Sequence, residues 1–386
     1  MSRIPAGIRA LVAIWVLALV GLFLSGCGDK IAIPQAVGDF STSGYQPGTS
    51  FDFPGIVQLT TSQGRLYVLS ADSLSRRNTK FEQQLGAGGF ENAQALCVDG
   101  DGTWVFVWEE GAKRVQWFDA NDLAPLGAAD LPEVATVVAM VTNPAGIEQV
   151  PGAVTYLYLS DPVTGVIHRF AFDVFNGLIP HGILTRSGGQ AARFVLDAAG
   201  MATDSDDFLL VCDADTSRNW VIRFSSEPDV ADVGVGEEPD PLRGQVALFD
   251  NPSCVPPPAS DYVIGDAAGC EDPDWVGGPS TELGEFHRPV AVAVDGSGRI
   301  FVADRENDRI QVFSAQGEYL LQFGSLTLSP APISLGLYDT PSTGGQDLPN
   351  YAGYVFVAVP DLGVVRRFES NEQYKEDTGK PPPPPQ

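Results

Sequence analysis

Residues 286–324 read FHRPVAVAVDGSGRIFVADRENDRIQVFSAQGEYLLQFG. Apolar runs at 289–295, 299–304, 309–314 and 318–323 are separated by turn-forming residues: Asp295-Gly296-Ser297-Gly298, the stretch 305–308, and Ala315-Gln316-Gly317. This spacing predicts four short antiparallel strands joined by tight turns. The second run contains Ile300-Phe301-Val302, three apolar residues in a row. A strand with one wet face alternates polar and apolar residues, so this one is predicted to be covered on both faces.

The same unit recurs on both sides of it. Leu66-Tyr67-Val68, Val105-Phe106-Val107, Leu157-Tyr158-Leu159, Leu209-Leu210-Val211 and Val355-Phe356-Val357 are further triplets, each followed at a nearly fixed distance by a Phe. From the third apolar residue to Phe81, Phe118, Phe170, Phe224, Phe313 and Phe368 the offsets are 13, 11, 11, 13, 11 and 11. Three residues before the Phe, five copies carry Val or Ile; the first carries Asn78 and is the most degenerate. A single four-stranded sheet cannot bury two apolar faces alone. Six such sheets arranged around an axis can, because each covers its neighbours.

The fifth copy, with RIFVAD followed by DRIQVF, resembles the NHL repeat along its whole length, and the second follows it well. That resemblance implies an all-β, six-bladed β-propeller of four-stranded antiparallel blades over residues 53–369. The recurrent Phe is read as packing between blades. The tail 370–386, ending in five Pro and Gln386, is read as polar and disordered, unable to supply a fourth strand to blade six. The expected closing strand is therefore N-terminal, near 31–40.

Composition agrees with this class. The chain has 386 residues, 44% hydrophobic and only 19% charged, with 42 Gly and 30 Pro. The apolar share supports a folded core and the Gly, Pro and Asp content supports many turns. A net charge of −26 argues against nucleic acid as a partner, since a phosphate backbone needs clustered Lys and Arg.

Residues 1–26 read as an export signal: Arg3 and Arg9, an unbroken run of apolar residues and Gly over 10–23, then Leu24-Ser25-Gly26-Cys27. The last four resemble the bacterial lipobox. The resemblance implies cleavage before Cys27, lipidation of Cys27 and a tether within 27–52 that also holds the candidate closing strand. The expected location is the bacterial cell envelope. Gly28, where an inner-membrane retention signal would place Asp, favours the outer membrane.

One segment breaks the repeat. Residues 226–286 hold 14 acids, one base and nine Pro. Within them, 245–249 is the apolar run placed to form the fourth strand of blade four, and the rest is an acidic insertion. In an exported protein Cys254 and Cys270 are a candidate disulfide, closing a loop of about 17 residues and worth roughly 3 kcal/mol in the chain-entropy account. Cys97 and Cys212 align with Ala293 and Ala303 and read as small core residues.

Chemistry is sparsely signalled. No nucleophile elbow, metal-binding His pair, phosphate loop or paired-Cys motif is present. His168, His181 and His287 are spaced too irregularly to share a face. Acids cluster where the turns between second and third strands should emerge. Glu109, Asp161, Asp213, Asp304 and Glu306, with Glu271, Asp272, Asp274 and Trp275 of the insertion, form a candidate binding rim. Such carboxylates could hold Ca²⁺. Asp304 and Asp308 also suit turn capping. Trp108 and Trp275 fall near turns, whereas Trp104, Trp117 and Trp220 suit blade packing. The expected function is binding or scaffolding at the envelope, toward a protein or glycan partner. The alternative is an enzyme resembling six-bladed lactonases or lyases, with a divalent metal in the channel.

Overall fold

A computed structural model describes residues 44–379 except 145–146, 148–149, 185–196, 205–206, 216–218, 226–261, 265–278, 316, 325–327, 329–330 and 341–350. The described residues form six four-stranded antiparallel sheets. After β1 (Tyr45–Asp52), blade one holds β2 (Ile56–Ser62), β3 (Arg65–Ser70), β4 (Ser73–Arg77) and β5 (Gln83–Gly88). Blade two holds β6 (Ala93–Val98), β7 (Trp104–Glu109), β8 (Arg114–Asp119) and β9 (Pro125–Asp130). Blade three holds β10 (Ala139–Asn143), β11 (Ala153–Asp161), β12 (Val166–Asp173) and β13 (Gly177–Leu184). Blade four holds β14 (Ala198–Thr203), β15 (Phe208–Asp213), β16 (Trp220–Ser225) and β17 (Tyr262–Ile264). Blade five holds β18 (Pro289–Val294), β19 (Ile300–Asp304), β20 (Arg309–Phe313) and β21 (Tyr319–Phe323). Blade six holds β22 (Ser334–Thr340), β23 (Tyr351–Val359), β24 (Val364–Ser370) and, as its outer strand, β1.

The apolar triplets behave as two-sided strands. On β19, Phe301 and Ala303 pack into the core shared with blade six, while Ile300 and Val302 pack into the core shared with blade four. On β7, Phe106 and Trp108 face blade three, and Val105 and Val107 face blade one. The described core consists of six such clusters, one at each seam of the ring. Phe118, Phe170, Phe313 and Phe368 are buried in them as third-strand residues. Phe81 differs: β4 ends at Arg77, so Phe81 lies in the following turn with a left-handed backbone (φ 66°). Its ring folds back to stack on Phe51 at 4.8 Å, filling the seam between blades one and six.

First strands run parallel to one another around the axis. Leu59 and Thr61 bond to Ser334 and Leu337, in the same order along both strands. Gln58 and Ser62 likewise reach Leu96 and Asp99 of blade two. All blades therefore present the same two edges. The upper rim carries the turns between second and third strands and the connections between blades. The lower rim carries the other turns.

Two strand assignments change. Ring closure falls to β1, which pairs with β24 from Tyr45↔Ser370 to Asp52↔Val364; residues 31–40 lie outside the described residues. The fourth strand of blade four is Tyr262–Ile264, paired with Val221–Arg223; the run at 245–249 lies outside the described residues. The stretch after β24 is a helix, Asn371–Thr378, whose start is capped by the Ser370 hydroxyl accepting the Gln373 N–H.

Candidate functional site

The last residue of the second strand is an acid in four blades: Glu109, Asp161, Asp213 and Asp304. All four are completely buried. Each accepts a backbone N–H from the segment that leads into its own blade. The donors are Glu91 (2.8 Å), Ala135 (2.9 Å), Asp197 (2.9 Å) and His287 (2.7 Å) respectively. A buried N–H left unmatched costs on the order of 1–3 kcal/mol, so these carboxylates latch the incoming chain to the upper rim. In blades one and six the position holds Ser70 and Val359.

Remaining carboxylate valences are used as well. Asp304 also accepts from Arg309 Nε at 2.7 Å, Asn307 Nδ2 at 2.8 Å and Gln311 Nε2 at 3.1 Å. Burial pushes its carboxyl above the ordinary value against the pull of these donors. Glu109 accepts from Arg114 Nε at 2.8 Å and from Gln116. Burial acts upward on it too, but the bonds from Arg114, the Glu91 N–H and Gln116 prevail and hold it below the usual range. Asp161 caps its own turn through the N–H groups of Val163 and Thr164.

Of the sequence-predicted binding rim, Glu109, Asp161, Asp213 and Asp304 thus lie beneath the surface as latches and are not displayed on it. Glu306 stays exposed, 3.7 Å from Arg288 Nη1 and 3.9 Å from Arg305 Nε. Asp308 takes the left-handed turn position before β20 (φ 53°) and accepts the Ala331 N–H at 2.7 Å. Cys27, Cys254, Cys270, Glu271, Asp272, Asp274 and Trp275 lie outside the described residues. Cys97 and Cys212 are buried free thiols. Trp108 is not a turn contact: its ring is fully buried and its Nε1 donates to Glu110 Oε2 at 2.8 Å.

The axis holds a cavity of about 930 Å³ walled by the first strands of all six blades. Aliphatic and small residues make up most of its wall, with neutral polar groups among them that include Gln58, Thr60, Thr61, Gln63, Gln94 and Thr203. Blades four and five approach closely there: a Cβ on Gly200 would sit 2.6 Å from the Val290 carbonyl oxygen. Charges gather at the upper mouth, where Asp197, Arg288 and Arg305 line the opening. Among the described residues Asp197 is its one carboxylate and no His lines it. No group of three or more His, Cys, Asp or Glu among the described residues is placed to hold a metal ion.

The histidines sit elsewhere. His168 Nε2 lies 3.7 Å from Asp161 Oδ2. His181 Nδ1 is 2.7 Å from Arg169 Nη2, and the Arg169 guanidinium stacks over Tyr156 at 4.4 Å. Burial, then the neighbouring Arg169 charge, lower the His181 pKa to about 4.

The family model of the NHL repeat matches residues 286–313, within blade five. Among curated proteins none matches in sequence. Solved structures share the architecture. A chain of a mitotic checkpoint complex is 14% identical with a TM-score of 0.53, over 89% of this chain and 98% of that one. A Bacteroides thetaiotaomicron protein of unknown function is 13% identical with a TM-score of 0.51, over 85% and 74%. Virginiamycin B lyase from Staphylococcus aureus is 10% identical with a TM-score of 0.48, over 84% and 99%. At such identities the likeness is one of fold alone.

Proposed function

We propose that this propeller, built on an NHL repeat, is a binding or scaffolding module held at the bacterial cell envelope, in the outer membrane, by lipid on Cys27. One observation carries the binding role: the acids that converge on the upper rim are spent on latching it. What they leave is a stiff ring whose upper connections and channel mouth present Asp197, Arg288, Arg305 and Glu306 to solvent or to a partner. Binding sites recur where loops are held by such a rigid frame. The part of the acidic insertion that follows β17 and leads to blade five, with Glu271, Asp272 and Asp274, would extend this face, with Ca²⁺ or cationic groups bridging to an envelope protein or glycan. Charges there act mainly on encounter rate and specificity.

Capture from envelope extract by the lipidated chain, before and after the joint substitutions Arg288→Ala, Arg305→Ala and Glu306→Ala, tests this reading. Partners held by the wild type should be lost while the melting temperature stays put. An unchanged set of captured partners removes the upper mouth from the site.

A further inference from the structure

Phe175 stands out from every other described Phe. It is 94% exposed, whereas the other described Phe side chains are buried or half-buried. It occupies the turn between β12 and β13, next to Val174 at 41% exposed. The turn is tightly held: Asp173 Oδ1 accepts the N–H groups of Phe175 at 2.7 Å and Asn176 at 2.9 Å. The ring is therefore projected outward by a fixed turn. Val154, 44% exposed, lies on the adjacent strand, where Ala153 pairs with Asp173. Together they make an apolar tip on the lower rim of blade three. A single exposed ring would be ordinary, but three exposed apolar side chains gathered at one end of a blade mark a contact surface.

The point at which the N-terminal segment joins the propeller indicates what does. Third strands run from the upper rim to the lower, so β12 ends below at Asp173 and β24 ends below at Ser370. Tyr45 pairs with Ser370, so the chain from Cys27 meets the propeller on the lower rim, the same rim as Phe175. Only residues 28–44 intervene.

We propose that the lower rim faces the membrane and that Phe175, with Val174 and Val154, enters the interfacial layer of the bilayer that carries the lipid on Cys27. This rests on the lipidation of Cys27 proposed above. Apolar side chains such as Phe bury at the boundary between headgroups and acyl chains. Lipid chains supply the affinity and the tip supplies the orientation. With two points of attachment the propeller stands on its lower rim, and the latched upper rim is turned toward the aqueous compartment.

The test uses the full chain purified with its native N-terminal modification and reconstituted into phosphatidylcholine vesicles doped with a diazirine-bearing phospholipid. After photolysis, fragmentation mass spectrometry locates the lipid adducts. Adducts should concentrate on Val174 and Phe175, with Val154, and be absent from Val163, which is 62% exposed on the upper rim. Phe175→Ser should cut labelling of that turn several-fold without changing the vesicle-bound fraction or the melting temperature. A lipidated, vesicle-bound chain with no adduct at 174–175, or with equal adducts on both rims, overturns the proposal and leaves the anchor standing. A Cys27 without lipid overturns both, and the mass of the N-terminal peptide tells the two failures apart.

Discussion

Asp304 receives the backbone N–H of His287 at 2.7 Å while its other oxygen, Oδ2, takes Arg309 Nε, also at 2.7 Å. One buried carboxylate thus joins the chain arriving at blade five to the blade's second and third strands. Removing one partner of such a buried pair is costly because the other charge is left unmatched. Asp304→Ala should lower unfolding stability by about 3 kcal/mol in urea titration, with Asp304→Asn in between. Glu306→Gln, two residues away and exposed, should stay within about 0.5 kcal/mol of wild type. Equal effects would contradict the latch.

Ring closure makes its own prediction. Tyr45 is buried, stacks on Phe323 at 4.8 Å and donates its hydroxyl to the Ala352 carbonyl at 2.8 Å. Tyr45→Ala should cost about 4 kcal/mol, and Tyr45→Phe about 1 kcal/mol. Hydrogen exchange of the Tyr45→Ala variant should accelerate first at the β1–β24 pairing. Uniform acceleration in all blades would argue against β1 as the latch of the ring.

His181 gives the pH dependence a sign. Its folded pKa of about 4 lies below the unfolded value near 6.5, so between these values the unfolded chain binds the extra proton. Stability from keeping this ring neutral is complete above about pH 6.5 and is lost as pH falls toward 4. The ring is partly exposed, which discounts the effect to about 1–2 kcal/mol. His181→Gln, which still offers Arg169 an oxygen, should flatten the curve in that window by this amount. A wild-type curve no steeper than the variant's there would exclude the assignment.

Cysteine chemistry should divide the thiols into two classes. Non-reducing peptide mapping should join Cys254 to Cys270 and return Cys97 and Cys212 unmodified. Burial, with nearby Asp99 and Asp213, pushes both buried thiols well above the ordinary value, so neither is reactive in the folded ring. Alkylation of Cys97 or Cys212 without denaturant would contradict this.

The second strands were legible in the sequence because burial on both faces forces consecutive apolar residues, and Ile300-Phe301-Val302 divides between two seams as that reading requires. Outer strands were not. β1 reads YQPGTSFD, with most of its residues exposed. It is recruited by the free edge of β24 rather than by its own composition, so the more apolar stretch 31–40 attracted the assignment. Tyr262–Ile264 is too short to carry a pattern at all. The acids misled for another reason. Sequence places Glu109, Asp161, Asp213 and Asp304 at strand ends, where carboxylates are ordinarily wet. What buries them is the segment folding over them to start the blade, a contact across 16 to 26 residues that no local pattern announces. An acid two residues after an apolar triplet, recurring in four of six copies, was the available signal.

The bond from the Tyr45 hydroxyl to Ala352 spans 307 positions. Closing so long a span carries a conformational-entropy cost that grows only slowly with length, but nothing rewards it until β24 exists. As the chain is made, the earliest-emerging strand must wait, unpaired, for the last. A chain cut short before Val364 would display both a stranded β1 and the open edge of β23, a pairing template for other chains. The same join that makes the ring rigid thereby discriminates finished molecules from unfinished ones, and quality-control proteases could act on that difference in backbone pairing alone.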